Sequence, residues 1–157
     1  MKNEQTHLRF AHGFITIVMV TYGIALVLST ILMALNIMKI ELFQNGILTI
    51  GTQNNGSLLS NSLSFAGGYI ILFILYCVRQ FFKNILDNQI FVAQNVKLAK
   101  QVALLLFIAS FLGDGIFKFN GFSFLNITFL ITSLVVWTLA KVLEKAKAIA
   151  EENEFTI

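Results

Sequence analysis

Four long stretches of this chain contain no charged residue, and short charged segments separate them. The uncharged stretches are 10–38, 42–78, 101–113 and 119–140. An α-helix needs ~20 mostly apolar residues to cross the ~30 Å hydrocarbon layer of a bilayer. The pattern therefore predicts an all-α integral membrane four-helix bundle with short cytoplasmic helical extensions. The predicted spans are about 14–35, 58–78, 98–116 and 121–143, followed by a cytoplasmic tail at 144–157.

The composition is typical of a chain that lies mostly in lipid. Of the 157 residues, 57% are hydrophobic and only 12% are charged, and the mean hydropathy is +0.79. A soluble domain carries ~25% charged residues. Four spans take up about half of the chain, so we expect one compact membrane domain and no separate soluble domain. The single cysteine, Cys77, excludes an intrachain disulfide and a multi-cysteine metal site.

The first apolar stretch has some features of a secretory signal peptide, because Lys2 and Arg9 precede it. However, it is longer than the ~7–15 apolar residues of a signal-peptide core, and no A-x-A cleavage site follows it. We therefore expect an uncleaved first span.

Basic residues are distributed unevenly between the two ends of the predicted spans. With both termini placed in the cytoplasm, nine lysines and arginines fall on the inner side and two, Lys39 and Lys118, on the outer side. The inner residues are Lys2, Arg9, Arg79, Lys83, Lys97, Lys100, Lys141, Lys145 and Lys147. An excess of Lys and Arg in short loops marks the cytoplasmic side. The expected location is the cell membrane, with both termini cytoplasmic and the basic residues near lipid headgroups rather than nucleic acid.

The segments between the predicted spans differ in character. The outer segment 39–57 ends in turn-forming residues, and we expect a loop or a short hairpin there. In the inner segment, an amphipathic pattern extends the second span as a helix to Asp87. Asp87, Asn88 and Gln89 then break the helix, and the next helix starts near Phe91. The cytoplasmic side is thus expected to be a helical hairpin with aromatic residues beneath the membrane.

The C-terminal tail combines negative charge with large apolar side chains. Its apolar stripe and its Glu–Lys spacing predict that the helix continues beyond the fourth span. The chain then ends in Glu-Glu-Asn-Glu-Phe-Thr-Ile. Such a segment suits a basic partner or the protein's own basic residues beneath the membrane. The candidate docking residues are Glu151, Glu152, Glu154, Phe155 and Ile157.

Three segments carry recognisable motifs. The inner segment contains Phe82, Asn84-Ile85, Ile90-Phe91 and Asn95-Val96-Lys97-Leu98, segment 125–130 reads Leu-Asn-Ile-Thr-Phe-Leu, and the tail reads as above. Together with the spacing of the spans, they resemble the bacterial membrane family called domain of unknown function 2975, whose members tend to end in Glu-Glu-Asn-Asp-Leu-Thr-Ile. Ile90 stands where that family usually has a proline, and the glycine before it is missing.

The resemblance implies a small four-helix membrane protein that is often encoded beside a small helix-turn-helix regulator. It implies no known reaction. The substitution at Ile90 implies a turn that differs from the family's usual one.

Two polar residues are candidates for a role inside the membrane. Asp114 lies between two glycines near the outer end of the third span. An ionisable group at membrane depth indicates proton or ion handling, whereas the flanking glycines favour a helix end where the carboxylate reaches water. Asn126 and the hydroxyl residues that follow it on the fourth span would bind a ligand or form hydrogen bonds between helices. The hydrogen-bonding interpretation is the more common one.

The chain carries no motif for chemical catalysis. It has no phosphate-binding glycine loop, no zinc-protease motif and no Ser-His-Asp set, since both histidines lie within the first twelve residues. We expect no enzymatic activity, no catalytic residue, no cofactor and no metal site.

Two classes of function remain. The first is a regulatory or interaction protein that acts with a cytoplasmic helix-turn-helix regulator, which the tail, the inner segment and the resemblance favour. The alternative is a small transporter or channel subunit, which Asp114 and the polar side of the fourth span favour. That alternative needs a homo-oligomer, because four helices barely enclose a pathway.

Overall fold

The computed structural model describes residues 2–37, 58–112, 116–119 and 122–154. The elements are α1 (Lys2–Ile37), α2 (Leu58–Leu86), α3 (Ala93–Ala109), β1 (Phe117–Phe119), β2 (Phe122–Phe124) and α4 (Ile127–Glu154). The prediction of an all-α protein is confirmed, with the short hairpin of β1 and β2 as a small addition. The outer segment 39–57, where we expect a loop or hairpin, lies outside the described residues.

Three of the described helices are long and apolar enough to cross a membrane. The candidate spans are Gln5–Leu35, Ser62–Leu86 and Ile127–Asn153. They fit a multi-pass membrane protein. α3 has 17 residues, which is about 26 Å at 1.5 Å per residue and therefore shorter than the ~30 Å hydrocarbon layer.

The expected boundary between the third and fourth spans is wrong. We expect helix to residue 116 and again from residue 121, but α3 ends at Ala109 and α4 begins at Ile127. Leu125 has a φ of 66°, a left-handed conformation that a right-handed helix does not contain. Asn126 then caps α4, because its side-chain oxygen accepts a hydrogen bond of 3.2 Å from the backbone N–H of Phe129.

A β-hairpin lies between α3 and α4: β1 falls in the predicted outer loop between the spans, and β2 falls where the fourth span was predicted to begin. β1 pairs antiparallel with β2, and Phe117 lies opposite Phe124. The rings of these two residues stack with their centroids 5.6 Å apart. Alternating phenylalanines suit a strand as well as a span, because a strand also buries every second side chain on one face.

The helices pack in chain order. α1 packs on α2, α2 on α3, and α3 on α4. The buried core lies where α2, α3 and α4 meet, with Cys77, Leu98 and Val102 at its centre and Val136 of α4 against them. Cys77 is a packing residue there, as its apolar neighbours predict. α1 lies at the edge of this group and is exposed along most of its length.

Close packing and two side-chain hydrogen bonds join α1 to α2. Gly68 faces α1 so closely that a Cβ atom there would lie 2.7 Å from Cδ1 of Leu26. Toward one end of this contact, the hydroxyl groups of Thr30 and Tyr69 are 3.1 Å apart. Toward the other end, Nε of Arg79 donates a hydrogen bond of 3.0 Å to the hydroxyl of Thr16. Small residues allow such close approach between membrane helices.

Candidate functional site

The charged residues of the described helices gather at one end of the molecule. This end contains the start of α1, the end of α2, the start of α3 and the end of α4. The hydrogen bond between Arg79 and Thr16 places the ends of α2 and α1 together. An ion pair of 2.6 Å between Lys100 and Glu144 does the same for α3 and α4. We call this region the charged end.

Two buried asparagines hold the turn between α2 and α3. Asn95 is completely buried and Asn84 is 5% exposed. The side-chain amide of Asn84 donates a hydrogen bond of 2.7 Å to the side-chain oxygen of Asn95. The amide of Asn95 in turn donates to the backbone carbonyls of Gln89, at 2.6 Å, and Ile90, at 2.9 Å. The pair therefore joins the last turn of α2, the connecting loop and the first turn of α3.

The rest of the turn is also fixed by hydrogen bonds. The backbone N–H of Gln89 donates to the carbonyl of Asn84 at 2.9 Å, and Asn88 has a φ of 58°. Asparagine tolerates this left-handed conformation better than most residues. The predicted helix break at residues 87–89 is confirmed. The turn leaves Ile90 and Phe91 nearly half exposed, so two large apolar side chains are presented at the charged end.

Ion pairs line the contact between α3 and α4. Glu144 accepts hydrogen bonds from Lys100, at 2.6 Å, and from Lys141, at 3.0 Å. One helical turn further along α4, Lys147 pairs with Glu151 at 2.9 Å. Partly exposed pairs of this kind contribute only ~0–1 kcal/mol each. Their main effect is to fix which charged groups face the contact between the helices.

Two grooves run beside these ion pairs. One, of about 680 Å³, lies between α3 and α4, and charged residues line one part of it while Leu104 and Trp137 line another. We call it the lysine groove. A second, of about 470 Å³, lies among α2, α3 and α4 and is lined almost entirely by apolar side chains, including Phe81 and Phe91. The two grooves lie on different faces of α3 and α4.

The predicted docking residues fall partly within the described structure. The predicted helical continuation of the tail is confirmed, because α4 runs to Glu154. Glu151 and Glu152 are exposed on its last turns. Glu151 pairs with Lys147 of the same helix, as the spacing of their charges predicts. Phe155 and Ile157 lie outside the described residues.

Of the two candidate intramembrane residues, the structure describes Asn126. Asp114 lies outside the described residues. Asn126 caps α4, and its backbone N–H donates to the carbonyl of Ser110 at the end of α3, at 2.6 Å. Its place is thus the junction of two helices.

The hydroxyl groups of α4 bond within their own helix. Thr132 donates to the carbonyl of Thr128 at 2.7 Å, and the buried Ser133 donates to the carbonyl of Leu130 at 2.8 Å. These two hydroxyls therefore donate within α4 and not, as was expected, to another helix. Since both are already occupied, the polar side of α4 gives weaker support to a ligand site than its sequence suggests.

The described residues contain no cluster of three or more His, Cys, Asp or Glu side chains that would hold a metal ion.

The buried pair of Asn84 and Asn95 is the feature that the sequence did not assign. Both asparagines belong to the motif that carries the family resemblance, but nothing in the sequence placed them in contact. The available signal was their position: each lies on the turn-facing end of a predicted helix, on either side of the helix break. A buried side-chain amide needs hydrogen-bond partners, and the turn brings these two within reach of each other.

No model of a protein family, no curated protein and no solved structure matches this chain.

Proposed function

We propose that this chain is a four-span membrane protein of the inner cell membrane whose charged end docks a cytoplasmic regulator. The regulator class that the motif resemblance favours is a small helix-turn-helix protein. In this proposal the chain binds and positions its partner and catalyses no reaction. The observation that carries the proposal is the rigid extension of α4 beyond the length that a bilayer needs.

That extension follows from helix geometry. α4 has 28 residues, which is about 42 Å, so about 12 Å remains beyond a hydrocarbon layer of ~30 Å. The excess lies at the charged end, because Lys141, Glu144 and Lys147 belong to this half of α4. The acidic residues Glu151 and Glu152 therefore lie on this helical extension, at the same end of the molecule as the exposed apolar pair of the α2–α3 turn.

The connectivity supports a fourth span through α3. The asparagine pair joins the end of α2 to the start of α3, and the bond between Asn126 and Ser110 joins the end of α3 to the start of α4. α3 must therefore carry the chain from one end of α2 to the far end of α4. α3 is ~26 Å long; its first residues, up to Lys100, lie at the charged end, and the rest leads through the apolar region to Ser110.

The charge of the docking surface suits a nucleic-acid-binding partner. Such proteins carry basic surfaces that bind phosphate. The carboxylates at the end of α4 and in the tail would pair with the same basic residues. Exposed charge pairs contribute only ~0–1 kcal/mol, so apolar contacts have to supply much of the affinity. Ile90 and Phe91 of the turn are exposed and would supply such contacts. Phe155 and Ile157 of the tail are also large and apolar.

The orientation is tested by cysteine labelling in a Cys77→Ser background. Asn54→Cys marks the expected outer segment, and Gln89→Cys marks the exposed α2–α3 turn. Because basic residues concentrate on the cytoplasmic side, we expect an impermeant thiol reagent added to intact cells to label position 54 and to label position 89 only after permeabilisation. Labelling of position 89 but not 54 in intact cells would overturn the orientation.

The docking role is tested by removing residues 155–157. We expect normal insertion and thermal stability, because these residues are not needed to cross the membrane, and loss of co-purification with a helix-turn-helix regulator encoded beside the gene. Thr156→Ala is the matched control, since it changes the same segment but keeps both large apolar groups. If the shortened protein retains the regulator, or fails to accumulate, docking through the tail is wrong.

A further inference from the structure

The lysine groove crosses from an apolar to a cationic environment. Leu104 and Trp137 line its apolar part, and both are about half exposed to the surroundings of the helices. Lys97, Lys100 and Lys147 line its charged part. Trp137 and Glu144 are seven residues apart on one helix, so about 10 Å separates the two environments. This change of environment over ~10 Å matches the boundary between acyl chains and headgroups.

The charged part of the groove favours an anion. Three lysines and two glutamates line it, which leaves a net charge of +1. Each glutamate already binds lysine: Glu144 binds Lys100 and Lys141, and Glu151 binds Lys147. Lys97 is exposed and has no ion-pair partner among the described residues. The ammonium group of Lys97 is therefore suited to bind a negatively charged phosphate, beside the ammonium groups of Lys100 and Lys147, which already pair with glutamates.

From these observations we propose that the lysine groove binds one anionic phospholipid of the inner leaflet. The phosphate contacts Lys97 and the neighbouring lysines, and an acyl chain lies along Leu104 and Trp137. A basic groove between membrane helices on the cytoplasmic side is a recognised setting for anionic lipid headgroups. The lipid site requires that the chain lies in a bilayer, but it does not require a regulator. It is therefore independent of docking through the tail.

The pairing of Lys147 with Glu151 makes the site adjustable. Glu151 lies on the last turns of α4, beside the tail, and holds an ammonium group that otherwise faces the groove. Neutralising this carboxylate leaves Lys147 free for the phosphate. The groove therefore predicts effects of opposite sign for removing Lys97 and for removing the charge of Glu151.

Trp137 is the only tryptophan of the chain and lies in the groove, so its fluorescence reports directly on a bound acyl chain. The experiment reconstitutes the full chain in phosphatidylcholine bilayers that contain a small, fixed fraction of brominated lipid. Bromine quenches the fluorescence of a nearby tryptophan. In one preparation the brominated lipid is phosphatidylglycerol, and in the other it is phosphatidylcholine. The ratio of quenching by the two lipids measures the preference for the anionic one.

We expect stronger quenching by brominated phosphatidylglycerol. Lys97→Gln should lower the preference about fivefold, and Glu151→Gln should raise it by a similar factor, since one lysine near a membrane surface is worth about 1 kcal/mol. Lys145→Gln is the matched control, because it removes the same charge from the charged end at an exposed position of α4 that does not line the groove. It should leave the preference unchanged.

Three outcomes would overturn the site. Equal quenching by the two lipids would show that the groove has no preference for an anion. An equal loss in Lys97→Gln and Lys145→Gln would assign the preference to the diffuse charge of the whole end. Abolition of the preference by millimolar inorganic phosphate would assign the groove to a water-soluble anion. Circular dichroism of each variant confirms that its helices are intact, and the opposite sign of Glu151→Gln separates binding from loss of structure.

Discussion

Asn95→Ala is expected to lower the free energy of unfolding by about 3–5 kcal/mol. The substitution removes hydrogen bonds to the carbonyls of Gln89 and Ile90 and leaves the buried amide of Asn84 without its acceptor. An unsatisfied buried donor costs ~1–3 kcal/mol, and each lost bond costs about 1 kcal/mol more. Titration with a denaturing detergent, followed by circular dichroism, measures the change.

Two further variants show whether the effect comes from the hydrogen bonds. Asn95→Asp has almost the same shape but places an oxygen where the amide donates to two carbonyls, so it should be at least as destabilising as Asn95→Ala at neutral pH. Gln94→Ala changes the neighbouring exposed side chain and should stay within ~0.5 kcal/mol of the parent protein. If Asn95→Ala unfolds at the same detergent concentration as Gln94→Ala, the asparagine pair does not hold the turn.

Gly68→Leu is expected to detach α1 from the other helices. Even a Cβ atom at this position would lie 2.7 Å from Leu26 and 3.4 Å from the hydroxyl of Tyr22. Forcing extra atoms into a packed contact costs ~1–3 kcal/mol. Among the described elements, α2 is the main support of α1, so other contacts contribute little to hold it in place. The remaining helices should stay together, because their core at Cys77 lies on another face of α2.

Cross-linking measures this separation. Thr30→Cys and Tyr69→Cys, in a Cys77→Ser background, place one thiol on each side of the contact between α1 and α2, and a short bifunctional thiol reagent joins them while the helices stay packed. We expect Gly68→Leu to lower the cross-linked population at least about fivefold, which corresponds to about 1 kcal/mol. Gly13→Leu is the control, since nothing lies within 4 Å of a Cβ atom at that position of α1. Full cross-linking of the Gly68→Leu protein would show that this glycine does not set the distance between α1 and α2.

The two predictions concern opposite sides of α2. Gly68 sets how closely α1 approaches, whereas Asn84 sets how α2 turns into α3. The proposed docking surface and the lysine groove depend on the second contact, because it fixes the start of α3 at the charged end. We therefore expect Asn95→Ala, but not Gly68→Leu, to disturb the lipid preference of Trp137.

The positions of the helices at the charged end were predictable from sequence because local signals determined them. The polar turn residues after Leu86, Asp87 to Gln89, interrupt an apolar pattern. Where a helix leaves the hydrocarbon, such local signals decide whether it ends or continues. The alternation of Glu and Lys likewise predicted that α4 continues as a helix beyond the membrane, and it runs to Glu154.

The region between α3 and α4 was not predictable in the same way. Its phenylalanine-rich sequence is apolar enough to be read as part of a span, and apolarity alone does not distinguish a strand from a helix over so few residues. The left-handed backbone at Leu125 and the cap at Asn126 decide the outcome. Neither is visible as a hydrophobic pattern.

The sequence by itself determined that the chain is helical, that it has apolar spans, and that its basic residues fall at alternate span ends, because the bilayer imposes these properties on each segment separately. Only the tertiary structure decided which polar groups meet. Asn84 and Asn95 are eleven residues apart, and Lys100 and Glu144 are forty-four apart. Such contacts depend on how helices rotate and pack against one another, and hydrophobic periodicity carries no information about the partner that a polar side chain will find.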